Sequence, residues 1–154
     1  MTPARLFTVC VAALVLVLAG CGSSPKPVTK AEYQTQLAKT GQAVTLAGQQ
    51  LGKVITIAGF NGAVTDLQKA LRDGEKKLKG LQPPANARAA NKRLAQAFGD
   101  LADALETVKE ARRVSIVKAR QALGQLGKTD AIKQGRAAIQ DLNQLGYAAD
   151  AAAP

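Results

Sequence analysis

The chain has 154 residues, enough for one compact domain with a core of its own. It contains no histidine, which excludes the commonest general base and metal ligand and every Ser-His or Cys-His nucleophile. Twenty-one Lys and Arg residues against eleven Asp and Glu give a net charge of +10, which favours anionic partners.

The N-terminal segment has the parts of a secretory signal. Met1–Arg5 holds one positive charge, and Leu6–Ala19 is an apolar run of 14 residues without charge. A helix that spans a bilayer needs roughly 20 apolar residues, so the run is predicted to be a signal sequence. Cys21 follows it closely, and the polar stretch Gly22–Pro27 is suited to an extended tether.

Leu18, Ala19, Gly20 and Cys21 resemble the lipobox of bacterial lipoproteins. The resemblance implies that the Cys21 thiol receives a diacylglycerol and that the preceding peptide bond is cut. The lipid on Cys21 would then hold the mature protein on the outer, extracytoplasmic face of the cell membrane. The alternative is an ordinary secretory signal, or an uncleaved anchor, with an accidental cysteine.

The layout of the chain also resembles the small helical lipoproteins of actinomycetes. The similarity lies in a Thr-Lys-Ala-Glu-Tyr opening at 29–33, a Leu-x-Pro-Pro-Ala hinge at 81–85 and a Leu-Gly-Tyr ending at 145–147. This resemblance implies a location and a fold but no activity. Cys10 would leave with the signal peptide, so no disulfide could form within the mature chain.

Apolar residues recur three and four positions apart, and only 3% of residues are aromatic. This pattern predicts an all-α fold with a core of Leu, Val, Ile and Ala. Short connections favour an antiparallel up-down bundle of about four helices. The predicted division is a signal peptide (1–20), a lipidated N-terminus and tether (21–28), a helical bundle domain (29–147) and a disordered tail (148–154).

Two helices are predicted in the first half of the domain. Thr29 and Glu32 form a capping-box pattern, and a coiled-coil-like stripe follows as far as Ala58. The glycine-containing segment 59–62 is predicted to end this first helix. A second apolar stripe covers 64–81 and ends before two prolines.

Two further helices are predicted in the second half. Pro84 is suited to the first turn of a third helix, whose stripe continues to Leu123. This helix is either continuous or bent near 114–117, where β-branched residues lower helix propensity. Thr129 is predicted to cap the last helix and Gly146 to end it.

An acidic cluster lies on the predicted third helix. Asp103, Glu106 and Glu110 share one face, roughly opposite the apolar stripe. The cluster is either a cation site or a solvated face, and we favour the solvated face because Lys109 and Arg113 are close. Neither a metal site nor a cofactor is therefore predicted.

Arg112 falls on an inward position of the same helix, between Val108 and Ile116. A charge there is costly unless it is paired or reaches water along its stem. One interpretation is an anion-binding arginine inside the bundle, for a lipid headgroup or a carboxylate. The other is a side chain that reaches water at the bundle edge or pairs with Asp66 or Asp73.

The apolar segment 54–60 could line a pocket, dip into a membrane or form a buried bundle end, and we favour the last. The predicted function is that of a non-catalytic, membrane-anchored bundle that binds anionic headgroups, wall polymers or an unidentified envelope protein. Nucleic acid is not expected, because aromatic residues are not interleaved with the basic ones. The alternative is a carrier or sensor that binds a lipid or other small anionic ligand between helices, near Arg112 and segment 54–60.

Overall fold

A computed structural model of the protein describes residues 27–54 and 56–149. The predicted signal peptide, the lipobox with Cys21, and the residues from 150 onward lie outside this part. Its regular structure is entirely helical, which confirms the all-α prediction. The helices are α1 (Lys30–Lys53), α2 (Ile57–Gly80), α3 (Arg88–Val114), α4 (Ile116–Leu126) and α5 (Asp130–Gln144), and a short 3-10 turn at Ala85–Ala87 leads into α3.

The helices form an antiparallel up-down bundle of four columns, of which α4 and α5 together make the fourth. Leu126 at the end of α4 lines the same cleft as Leu101 and Leu105 of α3. A straight continuation of α3 would place Leu126 roughly 30 Å beyond Leu105, at about 1.5 Å per residue. The chain therefore turns back after α3, and an ion pair between Arg93 and Asp141 shows that α5 continues in the same direction.

The boundary between α1 and α2 differs from the prediction. α1 ends at Lys53 rather than near Ala58, and the glycine-containing segment 59–62 lies inside α2. The Thr56 side chain accepts a hydrogen bond from the Gly59 N–H at 3.2 Å, and this cap begins the second helix. A satisfied N-cap thus sets the boundary, and the two glycines do not.

Of the two alternatives for the third helix, a continuous helix as far as Leu123 is excluded. α3 ends at Val114, and Ser115 adopts an extended conformation with φ −165° and ψ 159°. The Ser115 hydroxyl accepts the Lys118 N–H at 3.1 Å and so caps α4. The weak point lies within the predicted segment 114–117, but it produces a reversal of the chain rather than a bend.

The Thr129 hydroxyl does not cap the last helix as predicted, because it donates to the Leu126 carbonyl oxygen at 2.7 Å, and Pro84 precedes the 3-10 turn instead of lying in the first turn of α3. Two other predicted helix ends are confirmed. The Thr29 hydroxyl accepts the Glu32 N–H at 3.2 Å, and the Glu32 carboxylate accepts the Thr29 N–H at 2.8 Å. Gly146 ends the last helix with a φ of 77°. Packing continues two residues past the predicted domain end at Tyr147, because Ala149 is buried and its N–H donates to a side chain of α5.

The bundle has two different ends. At the proximal end, where the chain enters, the Val28 N–H donates to the Gln82 carbonyl oxygen at 2.8 Å. The distal end holds the connection from α1 to α2 and the reversal at Ser115. In the part of the chain that the structure describes, none of the helices combines the length and the apolar character needed to cross a bilayer.

Candidate functional site

Arg112 lines a polar cleft at the distal end, on the outer seam between α2 and α3. The cleft has a volume of about 320 Å³, and we call it the basic cleft; its lining residues are Asn61, Thr65, Lys109, Arg112 and Arg113. α2 contributes the two neutral polar side chains and α3 the three cations. Their positions follow from the antiparallel pairing of these helices, which brings the start of α2 beside the end of α3.

Arg112 itself is half-buried, and its Nε atom is buried without a hydrogen-bond partner among the described residues. Its stem follows Val108, which is fully buried, along the inward stripe of α3. The predicted pairing with Asp66 or Asp73 is not formed within the described part of the chain. Both aspartates instead line a separate cleft of about 200 Å³ with Thr40 and Ala43 of α1.

The acidic cluster of α3 is a set of ion pairs. Asp103 pairs with Arg72, and Glu110 pairs with Arg113 at 3.1 Å. Glu106 accepts hydrogen bonds from Gln68 at 2.6 Å and Lys109 at 3.1 Å. These two bonds, the one from Gln68 more strongly, lower the pKa of the Glu106 carboxyl below its ordinary value. Among the residues described, no group of three or more potential ligands is arranged to hold a metal ion.

A second cleft opens between α1 and the α4–α5 column, and the sequence did not predict it. We call it the apolar cleft; its volume is about 350 Å³ and its lining residues are Val44, Thr45, Gly48, Leu67, Leu101, Leu105, Leu126 and Ile132. All four columns contribute side chains, and none of these side chains is charged.

The apolar cleft exists because contacts between α1 and the fourth column are concentrated at the proximal end. There the Tyr33 and Tyr147 rings meet edge to face, with centroids 5.3 Å apart. Farther along α1, Gly48 faces open space, since a Cβ atom on it would meet nothing within 4 Å. The glycines at positions 41, 48 and 52 were the sequence signal that could have indicated a face of α1 without side chains to fill the bundle.

Of the segment 54–60, Val54 follows the end of α1, Thr56 caps α2, and the residues from 57 onward form the first turn of α2. Phe60 is buried in the core and Val54 packs against that core from a half-buried position. This agrees with the favoured interpretation of the segment as a bundle end. Ala58 between them is exposed.

The lipobox residues cannot be compared with the structure, because Leu18–Cys21 lie outside the described residues. Of the predicted site residues, the structure therefore describes Arg112 alone, and it brings Lys109 and Arg113 beside it. Comparison of this chain with protein families, curated proteins and solved structures found no match.

Proposed function

We propose that the protein is a lipoprotein, anchored through lipid on Cys21 to the outer face of the cell membrane, whose helical bundle acts by binding rather than by catalysis. The observation that carries this proposal is the sequence Leu18-Ala19-Gly20-Cys21 directly after an apolar run. Two or three acyl chains would hold the protein durably, since each buried methylene contributes about 0.8 kcal/mol. The absence of histidine from the sequence supports a role in binding.

The path of the chain is compatible with such an anchor. Only five residues separate Cys21 from Pro27, where the described chain begins at the proximal end. α1 has 24 residues and is therefore about 36 Å long. An upright bundle would then present both clefts at a distance from the bilayer surface, where soluble and envelope components are accessible.

The anchor is tested by substitution of each cysteine in the full-length chain, expressed in a bacterium that processes lipoproteins. Cys21→Ser should abolish processing, and the mass of the mature N-terminal peptide should no longer include a diacylglycerol. Cys10→Ser is the matched control, because it removes a thiol from the same region without altering the lipobox; it should be processed as the wild type is. A Cys21→Ser protein that is still processed and membrane-bound would refute the proposal.

A second candidate function is that of a carrier for the aliphatic chain of a lipid, and the apolar cleft favours it. The lining is uncharged and mostly aliphatic, and about 350 Å³ lies within the range of small-molecule pockets. A flexible hydrocarbon chain fits a lining that offers little hydrogen bonding. Burial of each methylene would contribute about 0.8 kcal/mol.

Two glycine substitutions test the carrier function. Gly48→Leu would fill the apolar cleft, whereas Gly62→Leu places the same side chain on an exposed position of α2 that also meets open space. Native mass spectrometry of each protein, incubated with a long-chain fatty acid, should detect a complex for the wild type and Gly62→Leu only. Equal binding by all three proteins would exclude the apolar cleft as the site.

A further inference from the structure

The charges around the basic cleft are not balanced. Lys109, Arg112 and Arg113 contribute three positive charges, and the acidic groups nearest to them are Glu106 and Glu110. Each of these carboxylates is already paired, one with Lys109 and the other with Arg113. Arg112 is left without an acidic partner in the part of the chain described here.

Arg112 is also less exposed than the neighbouring Arg113. It lies one turn beyond Val108, which is fully buried, and its Nε atom is shielded from water without an acceptor. A buried donor without a partner is costly, and a guanidinium group binds an oxyanion through two parallel hydrogen bonds. Because Nε is covered, an oxyanion in the cleft would be bound through the outer guanidinium nitrogens of Arg112, Nη1 and Nη2.

The opposite wall supplies neutral polar groups. Asn61 and Thr65 of α2 line the cleft and are exposed to it, and the Thr65 hydroxyl donates to the Asn61 backbone oxygen at 3.0 Å. The Asn61 amide can donate a further hydrogen bond to an anion that Arg112 holds. A ligand would thus contact both helices.

We propose that the basic cleft binds a phosphate group, with Arg112 as its principal ligand and Lys109 and Arg113 as supporting charges. Phosphate is favoured over carboxylate because a phosphate monoester has a charge of about −1.5 to −2 near neutral pH and three acceptor oxygens. Such a group can accept hydrogen bonds from Arg112 and Asn61 at once, and it can also attract Lys109 and Arg113, whose charges are otherwise offset by Glu106 and Glu110. This inference rests on the proposed binding role and not on lipid attachment at Cys21.

The phosphate could belong to a soluble molecule or to a lipid headgroup. Val114 and Val117 follow the cleft in the sequence and are 68% and 71% exposed. If the source is a lipid, these two side chains are suited to contact the acyl region beside the headgroup, and the distal end of the bundle, instead of standing away from the bilayer, would then lie at a bilayer surface. If the source is soluble, they play no part in binding.

The test uses the purified mature protein in neutral detergent, with inorganic phosphate as the first probe and chloride at equal ionic strength as its control. Phosphate should bind in isothermal titration calorimetry and chloride should not. Arg112→Gln should weaken phosphate binding at least about tenfold, because it removes a charged donor pair. Arg136→Gln is the matched control, since it removes the same charge from an exposed position of α5.

A second set of measurements distinguishes the two sources. Phosphatidylcholine vesicles with and without phosphatidic acid are added to the same variants. A lipid headgroup as the source predicts binding that requires phosphatidic acid and is weakened by both Arg112→Gln and Val117→Ser. A soluble source predicts Arg112-dependent binding of inorganic phosphate and no effect of Val117→Ser.

Other results would overturn the inference. Equal losses in Arg112→Gln and Arg136→Gln would indicate only a general effect of charge. A structural role, in which Arg112 complements the carbonyl groups at the end of α3, predicts lower stability with unchanged phosphate binding. If Arg112→Gln fails to fold, Asn61→Ala and Arg112→Lys are measured in its place. Asn61→Ala tests the opposite wall of the basic cleft from an exposed position. Unchanged affinity for inorganic phosphate in both variants would refute the site. The Cys21→Ser experiment is independent of all these outcomes.

Discussion

Tyr33 of α1 donates a hydrogen bond to Asn91 of α3 at 3.0 Å, and both side chains are buried. The Asn91 amide in turn donates to the Leu78 carbonyl oxygen of α2 at 2.9 Å. Three of the four columns are therefore joined by one buried polar network at the proximal end. The apolar cleft lies farther along the same bundle, so it is separate from this network.

The Tyr33 hydroxyl should make stability depend on alkaline pH. Burial raises the pKa of Tyr33 above its ordinary value of 10.0, and the neighbouring Tyr147 raises it further. The unfolded chain would release this proton near pH 10 while the folded chain retains it, so the free energy of unfolding should fall as the pH rises above 10. Tyr33→Phe should cost about 1–2 kcal/mol at neutral pH, because it leaves the Asn91 oxygen unpaired.

Urea unfolding of the wild type and Tyr33→Phe across this pH range provides the test. All other ionisable groups are common to the two proteins, so the difference between their slopes isolates Tyr33. The slope of the variant should be shallower. Identical slopes would mean that the phenol ionises in the folded protein as it does in the unfolded one.

Two helical glycines should respond to alanine in opposite directions. A Cβ atom on Gly74 would lie 2.8 Å from Cδ2 of Phe98 and 3.0 Å from Cγ2 of Thr40, both buried. Gly74→Ala should therefore destabilise the protein by about 1–3 kcal/mol through overpacking. A Cβ atom on Gly48 would meet open space. Gly48→Ala should therefore stabilise the protein by about 0.5–1 kcal/mol, because alanine is the better helix former. Chemical denaturation measures both changes. A stabilising Gly74→Ala would contradict the close approach at Gly74, and a destabilising Gly48→Ala would contradict the open space at Gly48.

The Ser115 cap at the chain reversal should contribute to the stability of the protein. Its hydroxyl accepts a hydrogen bond from the Lys118 N–H, and the methyl group of alanine cannot do this. Ser115→Ala should lower the free energy of unfolding by about 1 kcal/mol, and Ser115→Gly by only a few tenths. Thermal unfolding monitored by circular dichroism compares the two. A larger loss for glycine than for alanine would show that the backbone, and not the cap, controls this position.

Thr40 should tolerate, or benefit from, loss of its hydroxyl group. Its Oγ1 atom is buried and has no hydrogen-bond partner among the described residues. Thr40→Val keeps the shape and removes the unsatisfied group, so stability should rise by about 1 kcal/mol. Thr35→Val on the same helix is the control, because the exposed Thr35 hydroxyl donates to the Ala31 carbonyl oxygen at 2.9 Å. A destabilised Thr40→Val would indicate a partner for this hydroxyl, such as a bound water molecule.

The sequence predicted those helix ends that are controlled by residues close to them in the chain. Thr29 and Glu32 exchange hydrogen bonds across three residues, and Gly146 adopts a φ that other residues rarely adopt. The segment 59–62 misled the prediction because glycine permits a stop without requiring one. The adjacent Thr56 cap decided the boundary instead.

The reversal after Val114 could not be derived from the local pattern. Ile116 and Leu123 continue the spacing of the α3 stripe, so periodicity alone favours one helix. The structure instead folds α4 back, because its apolar face then packs against α3. Burial against another column outweighs the local continuity of the helix.

The sequence by itself determined the helical class, the helix ends at Thr29 and Gly146 and the candidate lipid attachment site, because these depend on residues a few positions apart. Only the tertiary structure decided which helix returns along which, and hence where the two clefts lie. The apolar cleft requires Val44, Leu105 and Ile132 to come together from three columns. The basic cleft requires the start of α2 to meet the end of α3. Such contacts depend on how whole helices pack, and the periodicity of any one helix does not specify its neighbour.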